Sequence, residues 1–376
     1  MHESISPPSR PRRGLRRFLT TLAVVVVLLV GLRSWSTNIY AITPGNATNV
    51  APLVSVKGLG TDPHRDRIML VDVFLQPLSQ LQYLYMKIFT NHVEFLSANQ
   101  LLEPGIPASQ LVAQGFLQMS DSQTAAKVAA LRALGWKVPA TSAGAVVTGV
   151  VDNTPASRAG LSVGDEIIAI DGHAVTSSCS LVGALVHVAP DTKLSLTVLP
   201  GKFSATGVLT RSRAVHIAVT TAVSPNASTA TNCAQFPTAG PSWLGIAPED
   251  GLDYALPGSI TLNTANIGGP SAGLAMTLTL IDTLSRGSLT GGRVIATTGT
   301  IDSSGNIGAI GGAAEKTIAV ENAGAHYFFV PQGDYAAAKS TANASLHVIG
   351  VSTLSQVLAD LRKLRGAAPV PYSAPH

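Results

Sequence analysis

The sequence predicts a multidomain α+β protein behind an N-terminal transmembrane helix. The signs are an apolar run that follows a cluster of arginines, a glycine-punctuated set of short strands over residues 143–221, and alternating strands and helices over residues 243–365. The chain has 376 residues, enough for two or three domains. Hydrophobic residues make up 46% and charged residues 12%, against about 25% charged in ordinary soluble chains, which excludes disorder throughout. The net charge of +4 comes from the amino terminus: residues 1–33 hold six arginines against Glu3, which leaves 19 basic and 20 acidic residues in the rest. A near-neutral body argues against nucleic acid as a partner.

Residues 1–17 read as a basic tail, with Arg10, Arg12, Arg13, Arg16 and Arg17. The apolar run over residues 18–32 is longer than a signal-peptide core and shorter than the roughly 20 residues of a full span. Extension through Trp35 and Tyr40, both suited to the membrane interface, gives a transmembrane anchor over residues 18–35. No small-x-small cleavage site follows closely, and Ser34-Trp35-Ser36 is a poor substitute, so an uncleaved anchor is expected over a cleaved signal. The flanking arginines place the tail in the cytoplasm and residues 36–376 outside. In that compartment a disulfide between Cys179 and Cys233 is chemically permitted, and two unpaired buried thiols fit the sequence equally well.

Residues 52–140 read as an α/β segment without recognisable chemistry. Strands are expected over 53–57 and 67–75, and helices over 78–96 and near 121–134. Residues 143–221 then run through GAVVTGVV, DNTPASRAGLSVGDEIIAIDG, an apolar helical stretch at 181–188 and a strand at 193–199. Gly160 suits a helix end, Gly164-Asp165 a turn into a buried strand, and Asp171-Gly172 a tight turn after it. Through Pro155-Ala156, Ala159-Gly160-Leu161, Gly164 to Ile168 and Ile170-Asp171-Gly172, the stretch resembles the PDZ domain of bacterial envelope proteases. The resemblance implies strand addition by an extended peptide, with Gly144, Ala145, Val146 and Val147 as the carboxylate loop. Residues 224–240 read as a linker, and residues 366–376, with three prolines, as a loose tail.

The stretch Gly268-Gly269-Pro270-Ser271-Ala272-Gly273-Leu274 places a serine between glycines at a strand-to-helix turn, where a helix amino terminus favours a developing oxyanion. A serine needs a base. Lys316, after Gly311-Gly312, falls in the first turn of an expected helix, where the dipole and burial would both favour the neutral amine. Its neighbours are small or apolar, as are those of Glu315, so periodicity alone does not say which of the two points inward.

Together the two stretches resemble the proteolytic domain of the Lon family, over about residues 243–360. Gly269-Pro270-Ser271-Ala272-Gly273 matches the nucleophile motif. Gly311-Gly312 with Glu315-Lys316 matches the lysine motif, 45 residues on. The resemblance implies a serine–lysine dyad of Ser271 and Lys316 with Thr298 as the lysine's support, and a hexameric assembly. Gly268 departs from the family, which commonly carries an acidic residue there.

No Gly-x-x-x-x-Gly-Lys-Ser/Thr motif occurs in the sequence, so the phosphate cradle of an ATPase is missing. No cofactor is expected. The nine histidines are scattered without metal-ligand spacing, so no metal site is expected either. The fold expected is therefore a transmembrane helix, an α/β segment, a PDZ domain and a Lon-type proteolytic α/β domain. Its expected partners are the membrane and protein or peptide substrates. Two rivals remain: an inert PDZ adaptor at the membrane, and an α/β-hydrolase-type esterase using Ser271, Asp334 and His347 in that order.

Overall fold

The computed structural model describes residues 12–62, 66–204, 207–225, 233–235, 238 and 240–372, with the backbone alone for residues 12–16. Residues 1–11 of the expected tail, most of the expected linker over 224–240 and residues 373–376 lie outside the described residues.

Helix α1 (Arg12–Ser34) contains an 18-residue window, Arg17–Ser34, with mean hydropathy 1.8 and no part of it buried, long and apolar enough to cross a membrane. Trp35 alone separates it from strand β1 (Ser36–Asn49), a stretch for which the sequence suggested no element. Pro44, Gly45 and Asn46 are turn residues, yet the strand absorbs them at an irregularity between Pro44 and Ala47. There the Asn46 N–H donates to Asp72 Oδ1 at 2.6 Å, and a Cβ at Gly45 would fall 2.1 Å from the same oxygen. Tyr40, expected to extend the interfacial end of the anchor, is instead buried within β1.

Strands β2 (Val54–Lys57) and β3 (Ile68–Ser79) follow close to their expected places. Helix α2 (Gln80–Phe89) opens on a capping box between Ser79 and Gln82 and stops at Phe89, short of residue 96. Residues beyond it form strand β4 (Glu94–Ser97). Helix α3 (Leu111–Ala133) begins at Leu111, well before the expected start near residue 121.

The chain then builds β5 (Ala140–Val150), β6 (Glu166–Ile170), helix α4 (Ser178–Val186), β7 (Lys193–Leu199), β8 (Val215–Thr220) and β9 (Ile246–Tyr254). These strands form one sheet in the order β8-β7-β6-β5-β9, around a core that includes Val147, Ile167, Leu181 and Leu196. Cys179, near the start of α4, is bonded to Cys233, so the structure selects the bridge over two free thiols.

Last come β10 (Ser259–Leu262), α5 (Gly273–Leu284), β11 (Ile295–Thr297), α6 (Ala313–Asn322), β12 (Tyr327–Pro331), β13 (His347–Val351) and α7 (Leu354–Lys363). Strands β11, β12 and β13 join β3, β1 and β4 in a second sheet of order β13-β12-β11-β3-β1-β4. Its β13, β12, β11 and β3 are mutually parallel, and β1 is antiparallel to both its neighbours. Strand β10 pairs with β2, and α5 packs on α3. One core unites Ile68 and Leu70 from the first part of the chain with Leu274, Leu278, Phe329 and Val357 from the last.

Two expected divisions change as a result. Residues 52–140 do not stand as a separate segment, because β3 and β4, with β1, supply half the strands of the sheet on which the last part of the chain is built. The boundary at residue 243 moves as well: β9 pairs along β5 from Ile246 to Tyr254 and so belongs to the sheet of the preceding domain. Parallel strands are usually buried on both faces, and β11 loses a neighbour on one side if β3 is removed. Residues 243–365 expressed alone should therefore lack cooperative thermal unfolding and near-ultraviolet circular dichroism. A sharp transition in that fragment would contradict the shared sheet.

Candidate active site

The serine loop is fixed from three directions. Gly269 has φ +86°, a conformation costly for any residue with a Cβ, and its N–H donates to Gly115 O of α3 at 2.7 Å. Ser122 Oγ, about two turns further along the same face of α3, donates to Pro270 O at 2.9 Å. From the far side, the Gly299 N–H donates to Ser271 O at 2.9 Å and the Thr298 hydroxyl to the same oxygen at 3.3 Å. The chain then enters α5, all of whose residues are buried. Gly268 has a physical reason here. A Cβ at that position would meet Gly115 backbone atoms at 3.2 Å and 3.4 Å, so α3 occupies the space that the acidic side chain expected from the family would need.

Lys316 arrives from the opposite wall. Gly312 takes the left-handed conformation, φ +67°, and caps α6, whose first turn carries Ala313, Glu315 and Lys316. Helix α6 packs against β1 and β3. A Cβ at Gly312 would meet Ile42 at 3.0 Å and Val73 at 3.1 Å, so the helix end lies directly on the sheet. Lys316 is 2% exposed. Its Nζ donates to Ser271 Oγ at 2.9 Å and to Thr298 Oγ1 at 3.4 Å. Burial lowers the amine's pKa to about 8, against the partial pull of Asp334 and Asp72, which favour the charged form.

Glu315 is also buried and its pKa is raised, first by burial and further by Glu94, with His92 and backbone N–H groups opposing. Periodicity left open which of Glu315 and Lys316 turns inward. Both do, and the lysine reaches the serine.

The sequence-derived residues Ser271, Lys316 and Thr298 are thus brought together. Asp334 and His347 are engaged elsewhere: Asp334 Oδ2 accepts from the Ile310 N–H at 3.0 Å, and His347 stacks on Tyr327 at 5.3 Å between ring centroids. Gly144, Ala145, Val146 and Val147 do not form a loop. They lie inside β5, which pairs with β9 on one edge and β6 on the other, so no peptide can add to their backbone. Among the described residues the unpaired strand edge beside α4 belongs to β9, the end of the sheet order, entered through Leu244, Gly245 and Ile246. The apolar–glycine–apolar triplet ahead of that strand was the signal available in the sequence. Gly115 and Ser122 carried no such signal, because their role appears only when α3 meets the serine loop.

Helix α3 also reaches the neighbouring sheet. Gln110 brackets Val150 of β5, accepting from its N–H at 2.9 Å and donating to its carbonyl at 2.6 Å, and Gln114 donates to Thr148 O at 2.9 Å. One helix, with the residue that precedes it, therefore holds both the serine loop and an inner strand of the first sheet.

Comparison with known families finds two matches. Residues 132–203 match the PDZ domain, and residues 263–363 match the Lon protease (S16) C-terminal proteolytic domain. Among solved structures, the PDZ domain of an SdrC-like protein from Listeria monocytogenes matches at 19% identity with a TM-score of 0.20, covering 28% of this chain and 86% of that one. No curated protein matches the chain. Both matched segments stop short of the sheets they belong to, since β9 lies beyond residue 203 and β1, β3 and β4 precede residue 263. The chain thus carries a PDZ domain and a Lon-type proteolytic domain, downstream of an N-terminal apolar helix that is a membrane-span candidate.

Proposed function

We propose that the protein is a membrane-anchored serine endopeptidase that cleaves extracytoplasmic proteins with a Ser271–Lys316 dyad. The observation that carries this is the 2.9 Å contact between a buried lysine amine and a serine hydroxyl at the start of a buried helix. Ser271 Oγ attacks the scissile carbonyl carbon and its proton passes to the neutral Nζ of Lys316. The resulting ammonium returns that proton to the leaving amine as the peptide C–N bond breaks. Water then attacks the acyl-enzyme ester, with Lys316 again taking the proton, and releases the carboxylate and the serine. Thr298 Oγ1 holds Nζ and braces the Ser271 carbonyl, and backbone N–H groups around Ser271 receive the oxyanion. Residues 1–376 contain no phosphate-cradling motif, so the hydrolysis uses no nucleotide site in this stretch.

A pKa near 8 decides the rate at neutral pH. At pH 7 about a tenth of such amines are neutral, whereas at the ordinary 10.5 about three in ten thousand would be. The active form is the deprotonated one, so activity is present above the folded pKa and lost as pH falls through it.

The PDZ domain is proposed to take an extended substrate or regulatory peptide along the outer edge of β9, beside α4, instead of at the Gly144–Val147 position first expected. When a peptide with a free C-terminus is titrated, backbone amide shifts should move at residues 246–251. Movement confined to residues 144–147 would return the site to β5.

Ser271→Ala and Lys316→Ala should each lower kcat on an unfolded protein substrate by a factor of about a thousand or more while leaving the thermal midpoint within a few degrees. An inert adaptor would show no cleavage by the unaltered chain. A serine–histidine–aspartate esterase would keep most of its activity in Lys316→Ala and lose it in His347→Ala. The logarithm of kcat/KM should rise with a slope near one below pH 8 and level off above it. A flat profile between about pH 6 and 9 would exclude Lys316 as the base.

A further inference from the structure

Helix α2, with the sequence QLQYLYMKIF, has no buried residue. A stable helix of this length ordinarily hides an apolar stripe. Here Leu84, Tyr85, Ile88 and Phe89 face solvent, with Ile88 68% and Phe89 71% exposed. Isolated surface leucines need no explanation, but a contiguous aromatic and aliphatic patch does.

The position of α2 says what covers the patch. The Gln80 N–H, at the first residue of α2, donates to the carbonyl of Trp35, the residue that follows the apolar α1, at 3.0 Å. Thr37 Oγ1 donates to Leu78 O at 2.6 Å, Ser36 pairs with Ser79, and α1 packs on both α2 and β3. The end of α1, the start of β1, the end of β3 and the start of α2 are therefore joined at one corner, with α2 packed on α1. Whatever apolar medium surrounds α1 ends at the level where α2 begins. The composition fits that level: Trp35, Tyr83, Tyr85 and Phe89 are aromatic, and Lys87 brings a cation that can meet anionic headgroups.

We propose that α2 is a lipid-docking surface that lies in the headgroup and acyl boundary of the bilayer spanned by α1. It rests on the reading of α1 as a membrane span, and it goes beyond that reading by fixing the orientation of the proteolytic domain. Strand β1 runs from this corner to Ile42, which lies under the capped end of α6. That distance is about 20 Å at 3.3 Å per residue. The dyad is then held close to the leaflet, facing chain segments near the bilayer surface instead of chains free in solution.

The test uses the full chain in vesicles of phosphatidylcholine and phosphatidylglycerol. Single variants Ile88→Cys, Tyr85→Cys, Val26→Cys in α1 and Arg362→Cys on the distant α7 each carry a nitroxide. The Cys179–Cys233 bridge leaves no other thiol to label. Accessibility to oxygen relative to a water-soluble nickel chelate should be several-fold higher at residues 85 and 88 than at 362, and highest at 26. Labels at 85 and 88 that match the label at 362, with 26 still in lipid, would overturn the docking surface and leave the span intact. A water-exposed label at 26 would overturn the span and the docking surface together. Labels at 85 and 88 shielded from both reagents, with Ile88→Glu dissociating an oligomer, would assign the patch to a second copy of the chain and overturn the proposal.

Discussion

The site depends on keeping one lysine amine out of water. Lys316 sits in the first turn of α6, where the helix dipole opposes a positive charge, and the sheet beneath removes its hydration. That sheet is not made by the last part of the chain alone. Ile42 of β1 and Val73 of β3 press against the cap of α6, and both strands come from the first eighty residues. The chemistry of the last domain therefore requires the strands that precede the PDZ domain. The PDZ domain is an insertion into a fold that closes around it.

The serine side is set with the same economy. Its loop is held between α3, through Gly115 and Ser122, and the Thr298-Gly299 turn, so the backbone that carries Ser271 is fixed beside the amine. The close approach that makes this possible leaves little room for a Cβ at Gly268, which would meet the Gly115 backbone at 3.2 Å. Because α3 also holds β5 through Gln114 and through Gln110 just before its start, the same element contacts both sheets and the serine loop. A shift of the PDZ domain that moves α3 along its axis would be felt first at Gly269 and Pro270.

Much of the site was legible because its chemistry is local in sequence. Glycines around Ser271, Gly311-Gly312 ahead of Lys316, and Thr298 between them are short-range signals, and the structure brings these three together. The supports were not legible, since Gly115, Ser122, Ile42 and Val73 gain meaning only from contacts across long stretches of chain. Strand β1 escaped notice for a local reason: Pro44, Gly45 and Asn46 read as a turn, and only Asp72 of the facing strand makes them a bulge. The PDZ loop was misplaced because GAVV at residues 144–147 has the glycine-apolar character of such a loop, whereas the pairing of β9 along β5 shows that its backbone is already used on both edges. Domain boundaries failed most clearly, because composition changes at the insertion points while hydrogen bonding runs across them.

The central claim is that Lys316 spends a substantial fraction of its time uncharged at neutral pH. The most direct measurement is a nuclear magnetic resonance titration of the lysine side-chain nitrogens in the intact protein, with the Lys316 signal assigned by its loss in Lys316→Arg. A midpoint near 8 is the predicted result. A midpoint near 10.5, the value of a lysine in water, would contradict the account, because the amine beside Ser271 would then be a permanent cation and no base.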